Sequence, residues 1–235
     1  MKPIIGIVEW PYFDQDGDKI YEVLNNIVEW IIRSGGRPIG IFPTQIENFT
    51  GKRLSSISPM TDYEWDDLKD SLNLCSAIIK PGALKIYSHE RLIYGYCLEK
   101  NMPYLGICAG MQLMAFHNKG NIENVLNNNS AIEHASKNLY YAHDVIIEPN
   151  TQLRRIIGKD SIEVNSKHRY HIPDSGINRV SAYSLDGIIE AIENPTCDFN
   201  IGLQWHPELL PENDPNSQKI FGEFIEAAKV YQKKR

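Results

Sequence analysis

Tyr104-Leu105-Gly106-Ile107-Cys108-Ala109-Gly110-Met111-Gln112 reads as a buried strand that turns directly into a helix. Tyr104 to Ile107 is an apolar run of strand length, and the apolar spacing from Met111 to His117 is helical. Cys108 stands at the junction, with a glycine two residues to either side. A turn this tight holds its central residue in a strained backbone conformation, and only hydrogen side chains at the flanking positions avoid collision. The helix presents its positive end to the cysteine, and its first free N–H groups, beginning with Ala109, can receive an oxyanion. Taken alone, the same pattern also fits a buried structural cysteine beside an ordinary turn.

Working outward, short apolar runs alternate with helix-like stretches: Ile4 to Val8, Ile20 to Arg33, Pro38 to Phe42, Ala77 to Ile79 and His89 to Glu99. That order predicts βαβ units. Beyond about residue 140 the pattern becomes β-rich, at His143 to Glu148, Ser161 to Asn165, Arg179 to Tyr183, Gly187 to Glu193 and Ile201 to Trp205. Ile220 to Tyr231 is spaced as a closing amphipathic helix. Residues 44–61 and 120–138 are polar and predict surface loops at a pocket entrance, with 10–18 as a third. Asp14-Gln15-Asp16-Gly17-Asp18 begins like a calcium loop but lacks the closing Glu, so a solvated turn is expected. Asp62 to Asp70 reads as the acidic start of a helix.

At 235 residues and 42% hydrophobic content the chain can bury a sizeable core, and one domain over residues 1–235 is expected. A net charge of −6 and dispersed Lys and Arg argue against nucleic acid as a partner. No stretch reaches the roughly 18 apolar residues of a membrane span, so a cytoplasmic protein with no membrane partner is expected. Cys75, Cys97, Cys108 and Cys197 form no CxxC pair and read as free thiols.

A second motif, Gly202-Leu203-Gln204-Trp205-His206-Pro207-Glu208, delivers a His and, two residues on, a Glu from the end of a strand. A cysteine nucleophile needs such a pair: an imidazole to move the proton and an acid to orient it. A loop histidine beside a surface acid is the bland reading of that motif in isolation. The third motif, Val164-Asn165-Ser166-Lys167-His168, is rich in groups that suit a polar substrate. His168 and His171 find no third ligand at recognisable spacing, so no metal is expected, and nothing calls for a cofactor.

With these three motifs in this order, the chain resembles the class I glutamine amidotransferase-like superfamily, and most of all its γ-glutamyl hydrolase and γ-glutamyl-γ-aminobutyrate hydrolase branch. Val180 to Glu193, running into the HPE motif, is similar to that branch's C-terminal half. The resemblance implies an α/β, three-layer αβα domain with a central, mostly parallel, flavodoxin-like sheet. It implies Cys108, His206 and Glu208 as a catalytic triad hydrolysing a γ-glutamyl amide through a thioester. Gly82, Ala83 and Ala109 would form the oxyanion hole, and Gln112, Ser166 and His168 would contact a small-molecule γ-glutamyl substrate.

The chain departs from that branch at Lys80-Pro81-Gly82-Ala83, where a second loop glycine is usual; an Ala83 forced to positive φ would cost about 1 kcal/mol or more. It departs again at Phe116-His117-Asn118-Lys119-Gly120, which replaces paired glycines. Lys80, Lys85 and Lys119 either line the pocket, suiting an anionic leaving group, or lie on the surface. Four questions stay open at this point: hydrolysis of a γ-glutamyl phosphoramidate or nucleotide-linked compound, a glutaminase subunit feeding ammonia to a separate synthetase, a non-catalytic binding module, and homodimerisation.

Overall fold

The computed structural model describes residues 1–45, 59–125, 132–136 and 140–235. In chain order the elements begin with β1 (Ile4–Val8), the hairpin β2 (Trp10–Phe13) and β3 (Lys19–Glu22), α1 (Asn25–Arg33), β4 (Arg37–Ile41) and α2 (Asp62–Asn73). They continue through β5 (Ala77–Lys80), α3 (Ser88–Glu99), β6 (Tyr104–Ile107), α4 (Ala109–His117), β7 (Asn121–Asn124), β8 (His143–Ile147), α5 (Gln152–Ile157) and β9 (Ser161–Val164). The last are β10 (Tyr170–Asp174), β11 (Arg179–Ser184), β12 (Ile189–Glu193), β13 (Asn200–Leu203) and α6 (Pro215–Lys234).

Nine strands form one sheet in the order β4-β1-β5-β6-β13-β12-β11-β8-β9. The first five run parallel; of the rest, β12 and β8 run against the common direction. The mostly parallel, three-layer architecture follows from period-two burial on both faces. Ala77 and Ile79 of β5 and Leu105 and Ile107 of β6 point into one cluster, beneath α1, α5 and α6. Ile78 and Tyr104 point into the other, beneath α2, α3 and α4.

The β-rich second half expected after residue 140 forms the antiparallel side of this sheet. Three details differ from the expectations. Helix α1 begins at Asn25 rather than Ile20, because the Asp14 carboxylate accepts from the N–H groups of Asp16 and Asp18 at 3.0 and 2.9 Å. That turn closes a hairpin in which Ile20 and Tyr21 pair with Tyr12 and Pro11. Residues 121–124, expected as loop, pair with β10 as β7. Of the polar stretches, residues 46–58, 126–131 and 137–139 lie outside the described residues. The acidic start at Asp62 is a helix, capped by the reciprocal Thr61 and Glu64 pair. Among the described residues no helix is long and apolar enough to cross a membrane, and all four cysteines are free.

Lys80 neither lines the pocket nor lies on the surface. It is fully buried at the end of β5, 3.1 Å from Glu90 Oε1, and donates to the Pro81 carbonyl at 3.2 Å. Glu90 in turn accepts from the Tyr87 N–H at 2.9 Å. The pair thus fastens both ends of the segment carrying Gly82 and Ala83. Removing one member of a buried ion pair strands the other charge, so Lys80→Ala is expected to lose about 3–5 kcal/mol in urea unfolding. Lys80→Met with Glu90→Gln, which keeps an acceptor for Tyr87, is expected to recover most of that loss.

Candidate active site

Cys108 occupies φ 50°, ψ −102° between β6 and α4, the strained elbow expected from its flanking glycines. The glycines are required by close approach. A Cβ on Gly106 would lie 2.7 Å from the Gly110 carbonyl carbon, and one on Gly110 would strike the Lys80 carbonyl oxygen. The Cys108 N–H donates to Leu203 O of β13 at 2.7 Å, tying the elbow to the strand that leads to His206.

His206 follows β13 and opens a single 3₁₀ turn at Pro207–Leu209. Its Nδ1 lies 2.7 Å from Glu208 Oε1, and Glu208 is fully buried. Burial works against charge on His206, but the Glu208 carboxylate and the hydrogen-bonding Cys108 side chain outweigh it, and its pKa is pushed up to about 10. Gly82 lies against both groups: a Cβ there would sit 2.6 Å from His206 Cε1 and 3.4 Å from Cys108 Cβ. Cys108, His206 and Glu208 are therefore brought together, with the Gly82 loop across from them.

Ala83 is not among the residues at positive φ, so replacing a loop glycine introduces no strain there. The other departure has the opposite outcome, because it places a side chain at positive φ. Lys119 adopts φ 72° just past α4, the left-handed position where helices commonly end in glycine. Lys119 itself is exposed. Ala109 is the first residue of α4, so its N–H has no intrahelical acceptor. A pocket of about 300 Å³ opens beside the elbow, lined by Ala83, Lys85, Ala109, Gln112, Asn121 and Tyr170 among others. Gln112 is held there by bonds from its Nε2 to Tyr170 O at 2.9 Å and Gln204 Oε1 at 3.2 Å.

Ser166 and His168 do not line that pocket. Ser166 is fully buried and donates to His134 O at 3.1 Å, while His168 Nδ1 faces Tyr170 O at 3.0 Å. Both turn inward because Asn165, just before them, is committed to the backbone of His206. Its Nδ2 donates to His206 O at 2.7 Å, and its Oδ1 accepts from His206 N at 2.8 Å. Asn165 is thus a positioning residue for His206. The NSKH segment carried the signal, but not the role.

A model of the peptidase C26 family matches residues 84–208. A Schizosaccharomyces pombe protein named "putative glutamine amidotransferase" is 34% identical over 217 residues, covering 88% of this chain and 82% of its own length. The chain belongs to the peptidase C26 family, within the class I glutamine amidotransferase-like proteins. CTP synthase of Thermus thermophilus is 28% identical over 72% of this chain, which spans only 37% of that enzyme. The glutaminase domain of Trypanosoma brucei CTP synthase with bound acivicin shares the fold at TM-score 0.66 and 18% identity, covering 97% of this chain and 94% of its own. The peptidase C26 match and the amidotransferase relatives make this a hydrolase- or amidotransferase-type protein.

Two outcomes are expected. In Gly82→Ala the new methyl displaces His206 from Cys108, and modification of Cys108 by an acivicin-type electrophile slows on the order of 10²-fold, read by intact-protein mass spectrometry. In Glu208→Gln the carboxylate charge is gone, so the His206 titration seen by ¹³C NMR of histidine-labelled protein falls by about one unit or more. The linkage has a definite sign. A histidine raised to about 10 contributes stability fully present below its ordinary 6.5 and lost as pH climbs through 10. The variant therefore sheds that contribution at lower pH than the wild type.

Proposed function

We propose that this protein hydrolyses γ-glutamyl amides through a γ-glutamyl thioester on Cys108, releasing glutamate and an amine. The observation that carries the reading is the Cys108 elbow facing an imidazole anchored 2.7 Å from a buried carboxylate, with the pocket beside it. The Cys108 sulfur attacks the γ-carbonyl, and N–H groups of Ala109 and the Gly82-Ala83 loop receive the oxyanion. His206, held protonated by Glu208 and Cys108, gives its proton to the leaving amine as the tetrahedral intermediate collapses. Having given up its proton, the imidazole is left neutral beside the thioester. The imidazole then accepts a proton from water, which attacks the thioester and frees glutamate and the thiol.

Lys85 favours an anionic leaving amine, such as one bearing a carboxylate in the manner of γ-glutamyl-γ-aminobutyrate, or a phosphoryl group. It is the lysine of the three that lines the pocket. A second reading, a glutaminase subunit serving a separate synthetase, draws support from the CTP synthase relatives, which are 26% and 28% identical over 73% and 72% of this chain.

The test is glutamate release from a panel of γ-glutamyl amides with neutral, carboxylate-bearing and phosphorylated amines, run beside glutamine. The isolated protein is expected to turn over anionic amides faster than glutamine, to form a glutamyl adduct visible by mass spectrometry, and to lose both with Cys108→Ala. Lys85→Gln is expected to weaken only the anionic substrates, by about tenfold, the equivalent of one hydrogen bond to a charged group. Full turnover by Cys108→Ala would refute the nucleophile, and glutamine hydrolysis that appears only with an added synthetase would move the assignment to the subunit.

A further inference from the structure

We propose that His134, His143, His168 and Glu190 form a binding site for one divalent transition-metal ion, zinc by its donor set, behind the candidate active site. The four residues come from the described segment 132–136, from β8, from the loop between β9 and β10, and from β12. All are buried, and Glu190 completely so.

The geometry argues for a cation rather than for hydrogen bonds. Glu190 Oε1 lies 3.4 Å from His134 Nδ1, 3.6 Å from His143 Nε2 and 3.4 Å from His168 Nε2. Those separations exceed the 2.7–3.2 Å range of an N–H···O bond. They match the spacing of about 3.4 Å between neighbouring ligands in a tetrahedron with metal–ligand bonds of about 2.0–2.1 Å. The ligand atoms of His134, His143 and Glu190 all lie within 4.8 Å of one another. The imidazoles crowd round one point, with the His134 ring centroid 4.8 Å from that of His143 and 4.9 Å from that of His168.

Each histidine also has its other nitrogen engaged on the outside. His134 Nε2 lies 3.0 Å from Asp186 Oδ2, which belongs to a carboxylate that also accepts from the Ser184 hydroxyl. His143 Nδ1 lies 3.2 Å from Asp144 O, and His168 Nδ1 lies 3.0 Å from Tyr170 O. A neutral imidazole has one donor and one acceptor nitrogen, so donation outward leaves the inner nitrogens as lone pairs. Three imidazole nitrogens then converge on a carboxylate oxygen, Glu190 Oε1, at 3.4–3.6 Å. His143 Nε2, His168 Nε2 and both Glu190 oxygens have no hydrogen-bond partner among the described residues. Ser166 Oγ lies 3.2 Å from His134 Nδ1 and can give its single proton to the His134 carbonyl. A dication resolves all of these buried acceptors together. Outer-shell carboxylate and carbonyl partners are what ligating histidines ordinarily have.

Four protein ligands leave no open position, so the ion is structural. It would couple the NSKH loop, whose Asn165 grips His206, to β12, whose Glu190 carbonyl accepts from Gln204 N at 2.7 Å. The test is direct. The purified protein is assayed for metal by mass spectrometry, stripped with a chelator, and titrated with Zn²⁺ by calorimetry and with Co²⁺ by visible absorption. About one equivalent is expected, with a raised melting temperature and intense tetrahedral Co²⁺ bands that lack a thiolate charge-transfer band. Binding persists in Cys108→Ala, weakens about 10–100-fold in Asp186→Asn, and weakens further in Glu190→Gln, which is nearly isosteric and whose fold is checked by circular dichroism. Absence of stoichiometric binding, an octahedral Co²⁺ spectrum, loss of binding in Cys108→Ala, or unchanged affinity in a folded Glu190→Gln would each overturn the proposal.

Discussion

The strained backbone of Cys108 is the constraint on which the rest of the site depends. A non-glycine residue at φ 50°, ψ −102° persists only where its surroundings over-determine it. Three close approaches do so here. Gly106 lets β6 touch the first turn of α4, Gly110 lets that turn ride over the end of β5, and Gly82 brings the following loop against Cys108 and His206. Each approach leaves room for a hydrogen atom and no more, so the elbow, the helix end and the loop are fixed as one unit.

Charge is organised around that unit in buried layers. Lys80 and Glu90 fasten the loop that faces the elbow, away from solvent and away from substrate. Glu208 keeps its carboxylate beside His206, and the protonated imidazole stands beside the cysteine sulfur. Asn165 holds the same histidine by its backbone, leaving the ring to face Glu208 and Cys108. The pocket itself carries comparatively little charge, and Lys85 is the charged side chain in its lining among the described residues.

The two halves of the sheet divide the labour. The parallel strands β5 and β6 end at the loop and the elbow, where crossover connections leave strand ends free to carry reactive groups. Among the described residues, none of the antiparallel strands β12, β11 and β8 contributes to the pocket lining. They assemble the histidine and carboxylate cluster behind it and hold the segment that positions His206.

How much of this was legible in the sequence followed the range of the interaction. Cys108, the ends of β6 and α4, and the His206–Glu208 pair could be read because each rests on residues within a few positions of one another. Glycine spacing and the His-Pro-Glu step are local signals. The capped start of α2 and the closing helix α6 were legible for the same reason. The hairpin β2–β3 was hidden, because its turn chemistry was read as solvated and the following apolar run as helix. Ser166 and His168 were expected at the substrate because their segment resembles one that borders the family's active site, yet where a polar side chain points depends on partners far along the chain. His134, His143, His168 and Glu190 are spread between positions 134 and 190 without periodic spacing, and Lys80 looked like any surface lysine. The sequence by itself determined the elbow, the glycines that flank Cys108 and the run of parallel strands along the chain; only the tertiary structure decided which buried charges meet, because that depends on sheet order, and sheet order joins residues that no local pattern connects.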